Sequence, residues 1–436
     1  MNGRSHQLSH RVTTRHLGAA YPFMAEAGLG SRGVQLGVDL FGGPFVYDPW
    51  ELYAQGLLSN PNMLVIGEVG TGKSALKKSY LLRQMAFGRK AVSINAKRED
   101  DRLCQAAGVE PIRLERGGLV RLNPLDARIA GPHADAREIQ VGRLRLLRAV
   151  IGASLRRELS AEEQAACKQA LLAAAERGQP TLPAVAEALL RPSDRAAQAL
   201  ATDRERLAAA TREAALALLR LCEDDLAGMF DGPTSGRVDF EAPLVAFDLS
   251  AVRDEDGLGI LRICAAAFVQ HSLLSEPDVR RVVVLDEAWK LLANLATARW
   301  LQDSYKLARS HGLQNIAIVH RLSDLTAAGA EGSEQVQLAV GLLKDTQTQV
   351  IFQQPPGELA RVRELLGLND VEAEVVSSLR TGTALWRVNR RSFLVRHQLT
   401  EEEEWIVDTD QRMASFSGEF SDSEGSASGN SGSGRP

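Results

Sequence analysis

The stretch MLVIGEVGTGKS, residues 63–74, constrains the fold more than any other part of the chain. Four apolar residues, Met63 to Ile66, run straight into Gly67, Glu68, Val69, Gly70, Thr71, Gly72, Lys73 and Ser74. That is the pattern G-x-x-x-x-G-K-[ST], and each residue type in it has a physical reason. Glycines let the backbone curl so that successive N–H groups point at phosphate oxygens. A helix starting near Lys73 adds its positive dipole end and its free N–H groups. Lys73 places a point charge near the β- and γ-phosphates, and Ser74 offers a hydroxyl to Mg²⁺. The expectation is a site for ATP and Mg²⁺ built from Gly67 through Ser74. The competing reading, a chance match in a glycine-rich turn, is weakened by context: an apolar strand precedes the loop and a helical pattern follows it.

The pattern around this loop is that of an α/β protein. Residues 63–66 read as a buried strand, 73–87 as a helix and 91–94 as a second strand, one βαβ unit that implies a parallel sheet. Upstream, GVQLGVDLFGGPFVYDP alternates as a short hairpin or edge strand does. From about Ala136 to Leu226 strand signals vanish, and Ala, Leu, Arg and Glu dominate. Ser160 and Glu163 there have capping-box spacing, and four or five helices are expected. The α/β rhythm returns at PLVAFDLSAV, ILRICAAAFVQHSLL and RRVVVLDEAWKLL. Further strands are predicted over 315–319, 349–352, 384–388 and 392–396, the last two as a hairpin around Asn389 and Arg390. Thr400 and Glu403 form a second capping box before a terminal helix.

The expected fold is α/β: a RecA-like P-loop NTPase core with a central, mostly parallel sheet and an inserted all-helical lobe. The expected division is an irregular segment 1–34, a first core part 35–132, the helical lobe 133–232, a second core part 233–414 and a disordered Ser/Gly-rich tail 415–436.

The second chemical signal is VVVLDEAWKLL, where an apolar strand delivers Asp286 and Glu287 at its end. Doubly wound sheets build their sites at such carboxyl ends. Asp286 is the candidate to hold Mg²⁺, and Glu287 the candidate to orient and deprotonate the attacking water. Binding alone would need only the Asp; the added Glu points to hydrolysis. Without the phosphate loop, both acids would read as a solvated strand end or a helix cap. Trp289 reads as a packed aromatic rather than a base-stacking platform.

Totals exclude several other classes. Cys104, Cys167, Cys222 and Cys264 are scattered, with no CxxC pair, and read as buried thiols in a reducing compartment. No apolar stretch approaches the roughly 20 residues that span a bilayer. Arg4, Arg11 and Arg15 are followed by no apolar h-region, so no signal peptide is read. A cytoplasmic location is expected, with membrane contact at the inner face supplied through partners. The net charge of −4 gives no support for a nucleic-acid coat protein.

Taken together, MLVIGEVGTGKS, INAKREDDRL, VRLNPLD, VAFDLSAV, VVVLDEAWKLL and ARSHGLQNIAIVHR occur in the order seen in the TraC-like conjugation and type IV secretion ATPases. These belong to the FtsK/HerA superclass of P-loop motors. The chain resembles that group over roughly residues 35–400. The resemblance implies a RecA-like core, a homo-oligomer, a hexamer, and ATP hydrolysis coupled to transport or pilus assembly with membrane-embedded transfer components. It makes Arg309, in ARSHG, a candidate phosphate-contacting arginine, and Arg380, in SLRTGTALW, a second one. For both arginines the competing reading is a surface ion pair or a helix cap. Three departures stand out. His320 occupies the place where the family has a γ-phosphate-sensing Gln. Asn95 stands where an acid is common. The phosphate loop falls at residue 67, where family members commonly carry a substantial N-terminal docking domain before it, so docking is expected to be absent, minimal or supplied by another chain.

Two alternatives remain at this stage. A DNA translocase would line a channel with clusters such as Arg143, Arg145 and Arg148, or Arg387, Arg390 and Arg391, although arginines interleaved with glutamates are usually a solvated face. Nucleic acid is therefore the less favoured partner. A nucleotide-switched scaffold that barely hydrolyses ATP is opposed by Glu287.

Overall fold

The structure, a computed structural model, describes residues 28–408 except 96, 131–133, 237, 240, 253–263, 265–277, 289–297, 300–301, 303–304, 306–311 and 324–332. Trp289, Lys290 and Arg309 lie outside the described residues, as do the C-terminal tail and nearly all of ILRICAAAFVQHSLL.

The first part of the chain contributes β1 (Val34–Asp39), β2 (Gly43–Tyr47), α1 (Pro49–Ala54), β3 (Met63–Ile66), α2 (Lys73–Ala86), β4 (Lys90–Asn95), α3 (Asp101–Ala107) and β5 (Ile112–Arg113). Helices α4 (Ala136–Leu155), α5 (Ala161–Glu176), α6 (Leu182–Leu190), α7 (Asp194–Ala199) and α8 (Arg204–Arg220) follow. Strands return with β6 (Leu244–Asp248), β7 (Arg281–Asp286) and β8 (Leu313–Val319). The chain continues through α9 (Glu334–Asp345), β9 (Thr348–Ile351), α10 (Pro356–Leu366), α11 (Asp370–Ser377), β10 (Thr383–Val388), β11 (Arg391–His397) and α12 (Glu401–Val407).

Among the described residues the strands form one sheet in the order β2-β1-β11-β10-β9-β3-β8-β7-β4-β6-β5. From β9 to β5 every neighbour is parallel. From β9 to β2 every neighbour is antiparallel. The expected mostly parallel sheet is therefore present, with an antiparallel extension along one side. Strand β3 is central, and all four of its residues are buried, which is why it reads as an unbroken apolar run.

Alternation along β3 divides the interior in two. Leu64 and Ile66 join Leu147, Val150, Cys167 and Leu218 from the helices between β5 and β6. Met63 and Val65 join Leu76, Tyr80 and Leu81 of α2 and the apolar residues of β1, β2 and β10. The four cysteines are free and buried. The capping boxes expected at Ser160–Glu163 and Thr400–Glu403 both form, and two more stand at Asp135–Glu138 and Asn369–Glu372.

The antiparallel extension is closed by β1 lying against β11, with Gly37 opposite His397. A Cβ on Gly37 would fall 2.1 Å from the Arg396 carbonyl oxygen and 3.0 Å from the His397 Cα. Both obstacles are backbone, so neither can rotate away. Gly37→Ala should destabilise the protein by about 1–3 kcal/mol, the usual cost of overpacking a fitted contact, read as a fall in the midpoint of urea unfolding.

Candidate functional site

Parallel pairing makes β3, β7 and β8 end at the same edge of the sheet. Ile66 lies beside Val319, and Asp286 beside Ile318. The loop after β3, the acidic pair at the end of β7 and His320 after β8 therefore converge, at the carboxyl edge where such sheets build sites.

The loop is held from its outer side. The Phe352 N–H donates to the Ile66 carbonyl at 2.8 Å, the Glu68 N–H to the Gln353 carbonyl at 3.3 Å and the Gly382 N–H to the Thr71 carbonyl at 2.9 Å. Thr71 Oγ1 donates to the Glu68 carbonyl at 2.7 Å. Gly70 and Gly72 adopt φ of 82° and 115°, in the region that favours glycine. A Cβ on Gly67 would sit 2.5 Å from Phe352 Cβ, so this position is also confined to glycine. Helix α2 starts at Lys73 with Gly72 as its N-cap, no side chain capping it and no acid in its first turn.

Lys73 is buried, and its Nζ donates to the Gly67 carbonyl and, at 2.6 Å, to that of Glu68. Burial pushes the ammonium down to about 8; Asp286 opposes the shift and Lys97 adds to it. The Ser74 hydroxyl donates to Glu99 Oε2 at 3.2 Å.

Asp286 is buried, and its Oδ1 accepts the Glu287 N–H at 2.9 Å. Glu287 adopts φ of 53°, a left-handed conformation that costs a non-glycine residue on the order of 1–3 kcal/mol. The next N–H, of Ala288, donates to the Ile318 carbonyl at 3.2 Å. Glu287 Oε1 lies 3.6 Å from Lys97 Nζ and 4.0 Å from His320 Nε2. Burial, with Lys73 and Lys97 beside it, pushes the His320 imidazole below its ordinary value. His320 is therefore neutral at pH 7, and its contact with Glu287 is neither an ion pair nor, at that distance, a hydrogen bond.

Two residues that sequence reasoning passed over belong to this edge: Lys97 and Glu99. Their segment follows β4 and is fixed at both ends. Asn95 Oδ1 accepts the Lys97 N–H at 2.8 Å, a local turn that gives Asn95 a use in place of an acid. At the other end Asp100 lies 2.9 Å from Lys77 Nζ of α2 and accepts the Ser93 hydroxyl at 2.6 Å, with both charged side chains buried. Burial works against the Asp100 charge, but Lys77 and Ser93 outweigh it and hold the carboxyl below the ordinary range. The sequence signal, a charge run just after a buried strand, is the one that most often marks a solvated face. Arg380 is exposed, in the turn between α11 and β10, two residues before the Gly382 that bonds the loop.

The residues present fit a magnesium nucleotide. The glycines put no side chain of their own into the cradle, and the first turn of α2 carries no acid, although Glu99 reaches Ser74 from the segment after β4. Among the described residues no cluster of three or more His, Cys, Asp or Glu side chains could hold an ion unaided. A Mg²⁺ here would depend on phosphate oxygens together with Ser74 and Asp286, as this cation does in nucleotide sites.

The fold and this loop define the class: a RecA-like P-loop NTPase core. Its overall shape is similar to VirB4 of Thermoanaerobacter pseudethanolicus, at TM-score 0.71 and 22% identity, covering 87% of this chain and 100% of that one. It is also similar to the bacterial conjugative coupling protein TrwB lacking its first 70 residues, at TM-score 0.58 and 17% identity, covering 88% of this chain and 93% of that one. The TrwB structure in complex with ADP and Mg²⁺ aligns at TM-score 0.59 and 16% identity over the same shares. No family model matches the sequence, and no curated protein matches it.

The Lys77–Asp100 pair makes a stability prediction. Lys77→Met leaves Asp100 buried and unpaired and should cost about 3–5 kcal/mol, while Lys77→Met with Asp100→Leu should recover most of it. Because Asp100 is depressed in the folded state, the contribution of the pair is complete above the ordinary aspartate value. It is lost as pH falls through the lower folded value. Urea unfolding of wild type and both variants between neutral and acid pH checks this.

Proposed function

We propose that this chain is a Mg²⁺-dependent ATPase that drives a conjugative or type IV-like transfer or secretion apparatus. The observation that carries the reading is the meeting, at one sheet edge, of the glycine loop with Lys73 and Ser74 and the strand end bearing Asp286 and Glu287. The likeness to VirB4 across the whole of that chain supports the choice of apparatus.

In this reading the N–H groups of the loop and the start of α2 bind the phosphates. The Lys73 ammonium turns from the loop carbonyls to the terminal phosphates. Ser74 and Asp286 hold Mg²⁺, which supplies charge neutralisation at the phosphate oxygens. Glu287 accepts a proton from the water that attacks the terminal phosphorus as the bond to ADP breaks. Arg309 and Arg380 are the candidates to stabilise charge across a subunit boundary. Such an arginine can supply about 10³–10⁵ in rate to a P-loop enzyme, so the working form in this reading is an assembled homo-oligomer, for which the family resemblance implies a hexamer. The partners in this reading are membrane-embedded components of the apparatus, met at the cytoplasmic face. Among the described residues no helix is long and apolar enough to cross a membrane.

DNA pumping is the second reading, and the arginine clusters lend it little. Arg143 donates to the Leu125 carbonyl, Arg148 to that of Gln164 and Arg387 to that of Leu366. Arg391 lies over the Phe393 ring.

ATP turnover tests the proposal. Wild type should hydrolyse ATP with Mg²⁺, with specific activity rising as the ring assembles. Glu287→Gln should lose about 10²–10⁴ in kcat, the usual worth of a general base, while still binding ATP. Lys73→Ala should lose turnover while staying folded. Absence of turnover in assembled wild type would overturn the reading, and stimulation by DNA would favour the pump.

A further inference from the structure

The ATPase reading leaves Lys97 without a task, yet the fold places it with unusual care. It follows β4, 190 residues before Glu287 in sequence, and its Nζ reaches to 3.6 Å from the Glu287 carboxylate. Asn95 Oδ1 holds the Lys97 N–H, and the buried Asp100–Lys77 pair ties the far end of the segment to α2, one turn beyond Lys73. Between these anchors Glu99 reaches Ser74. One short segment thus touches both the residue proposed to hold the metal and the residue proposed to take the proton.

The chemistry at Glu287 calls for such a contact. Its backbone is in the left-handed region, which fixes where the side chain starts but not how its two terminal torsions settle. The neighbouring His320 is neutral and too distant to orient it. Among the described residues Lys97 Nζ is a cation within ion-pair distance of the Glu287 carboxylate, at 3.6 Å. The Lys97 side chain is 46% exposed and that of Glu287 14% exposed, so the pair lies at the solvent side of the site. A general base must stand within hydrogen-bond reach of its water in the reactive complex, and a small misplacement there costs rate rather than binding.

We propose that Lys97 is a positioning residue for hydrolysis, orienting the Glu287 carboxylate toward the attacking water. The proposal rests on the ATPase reading of the site. Lys97 makes no direct demand on nucleotide affinity; its effect runs through Glu287.

Single-turnover and steady-state kinetics of Lys97→Met, Lys97→Arg, Glu287→Gln and the Lys97→Met/Glu287→Gln double variant test it. Lys97→Met should lower kcat about tenfold, within the coupling range of contacting residues, with KM for ATP changed by less than about threefold, the signature of an interaction made for the reaction rather than for binding. Lys97→Arg should restore most of the loss, since the cation is kept. On the Glu287→Gln background, Lys97→Met should cost nothing further. A loss that multiplies on that background would overturn the proposal, as would a rise in KM at unchanged kcat or unchanged kinetics in Lys97→Met. Wild type without turnover would instead sink the ATPase reading, so the two failures are distinguishable.

Discussion

Parallel strand pairing is the constraint on which the rest depends. Antiparallel neighbours would send the ends of β3, β7 and β8 to opposite edges; parallel pairing brings them to one. The register then sets distances, with Ile66 level with Val319 and Asp286 level with Ile318. A residue that ends one strand can then face a residue that ends another, whatever their separation in sequence. The antiparallel extension serves the same edge from the side. The chain just after β9 presents Phe352 and Gln353 to the loop, and the turn before β10 presents Gly382. These groups engage the loop through its carbonyls and one N–H, and add to the internal bonds that Thr71 and Lys73 make to the Gly67 and Glu68 carbonyls.

The electrostatics of the edge follow from that crowding. Lys73 and Lys97 sit near Asp286, Glu287 and Glu99, with a neutral imidazole among them. Burial makes the Lys73 ammonium easier to lose than that of a surface lysine, and the adjacent carboxylate keeps it charged at neutral pH. Deeper in, Lys77 and Asp100 form a buried pair that ties the segment bearing Lys97 and Glu99 to the helix that follows the phosphate loop. Stability and function therefore share elements here. The pair is a structural anchor, and what it anchors reaches the proposed reacting groups.

Much of the fold was legible because its signals are local. An apolar run of four, a glycine loop and a helical pattern name β3, the loop and α2 without any tertiary knowledge. The apolar run before Asp286 does the same for β7. Capping boxes at Ser160 and Thr400 mark helix starts because both partners lie within one turn. The two-residue strand β5 was not legible, being too short for any periodicity. Nor was the pairing of β1 with β11, which depends on contacts about 360 residues apart in the chain. At the site the loop and the acidic pair could be read from residue type alone. Lys97 and Glu99 could not, because a run of charges after a strand looks the same whether it faces water or an active edge. His320 could be placed at the end of its strand, but its neutral state follows from burial beside two lysines.

The central claim is that the curl formed by Gly67 to Ser74 receives the phosphates of a magnesium nucleotide, with Asp286 and Glu287 across from the terminal one. A crystal structure with Mg²⁺ and a non-hydrolysable ATP analogue tests it most directly. The account predicts the triphosphate within hydrogen-bond distance of the loop N–H groups and Lys73 Nζ, with the metal beside Ser74. A nucleotide ordered elsewhere on the molecule while the loop keeps Lys73 on its own carbonyls would contradict it.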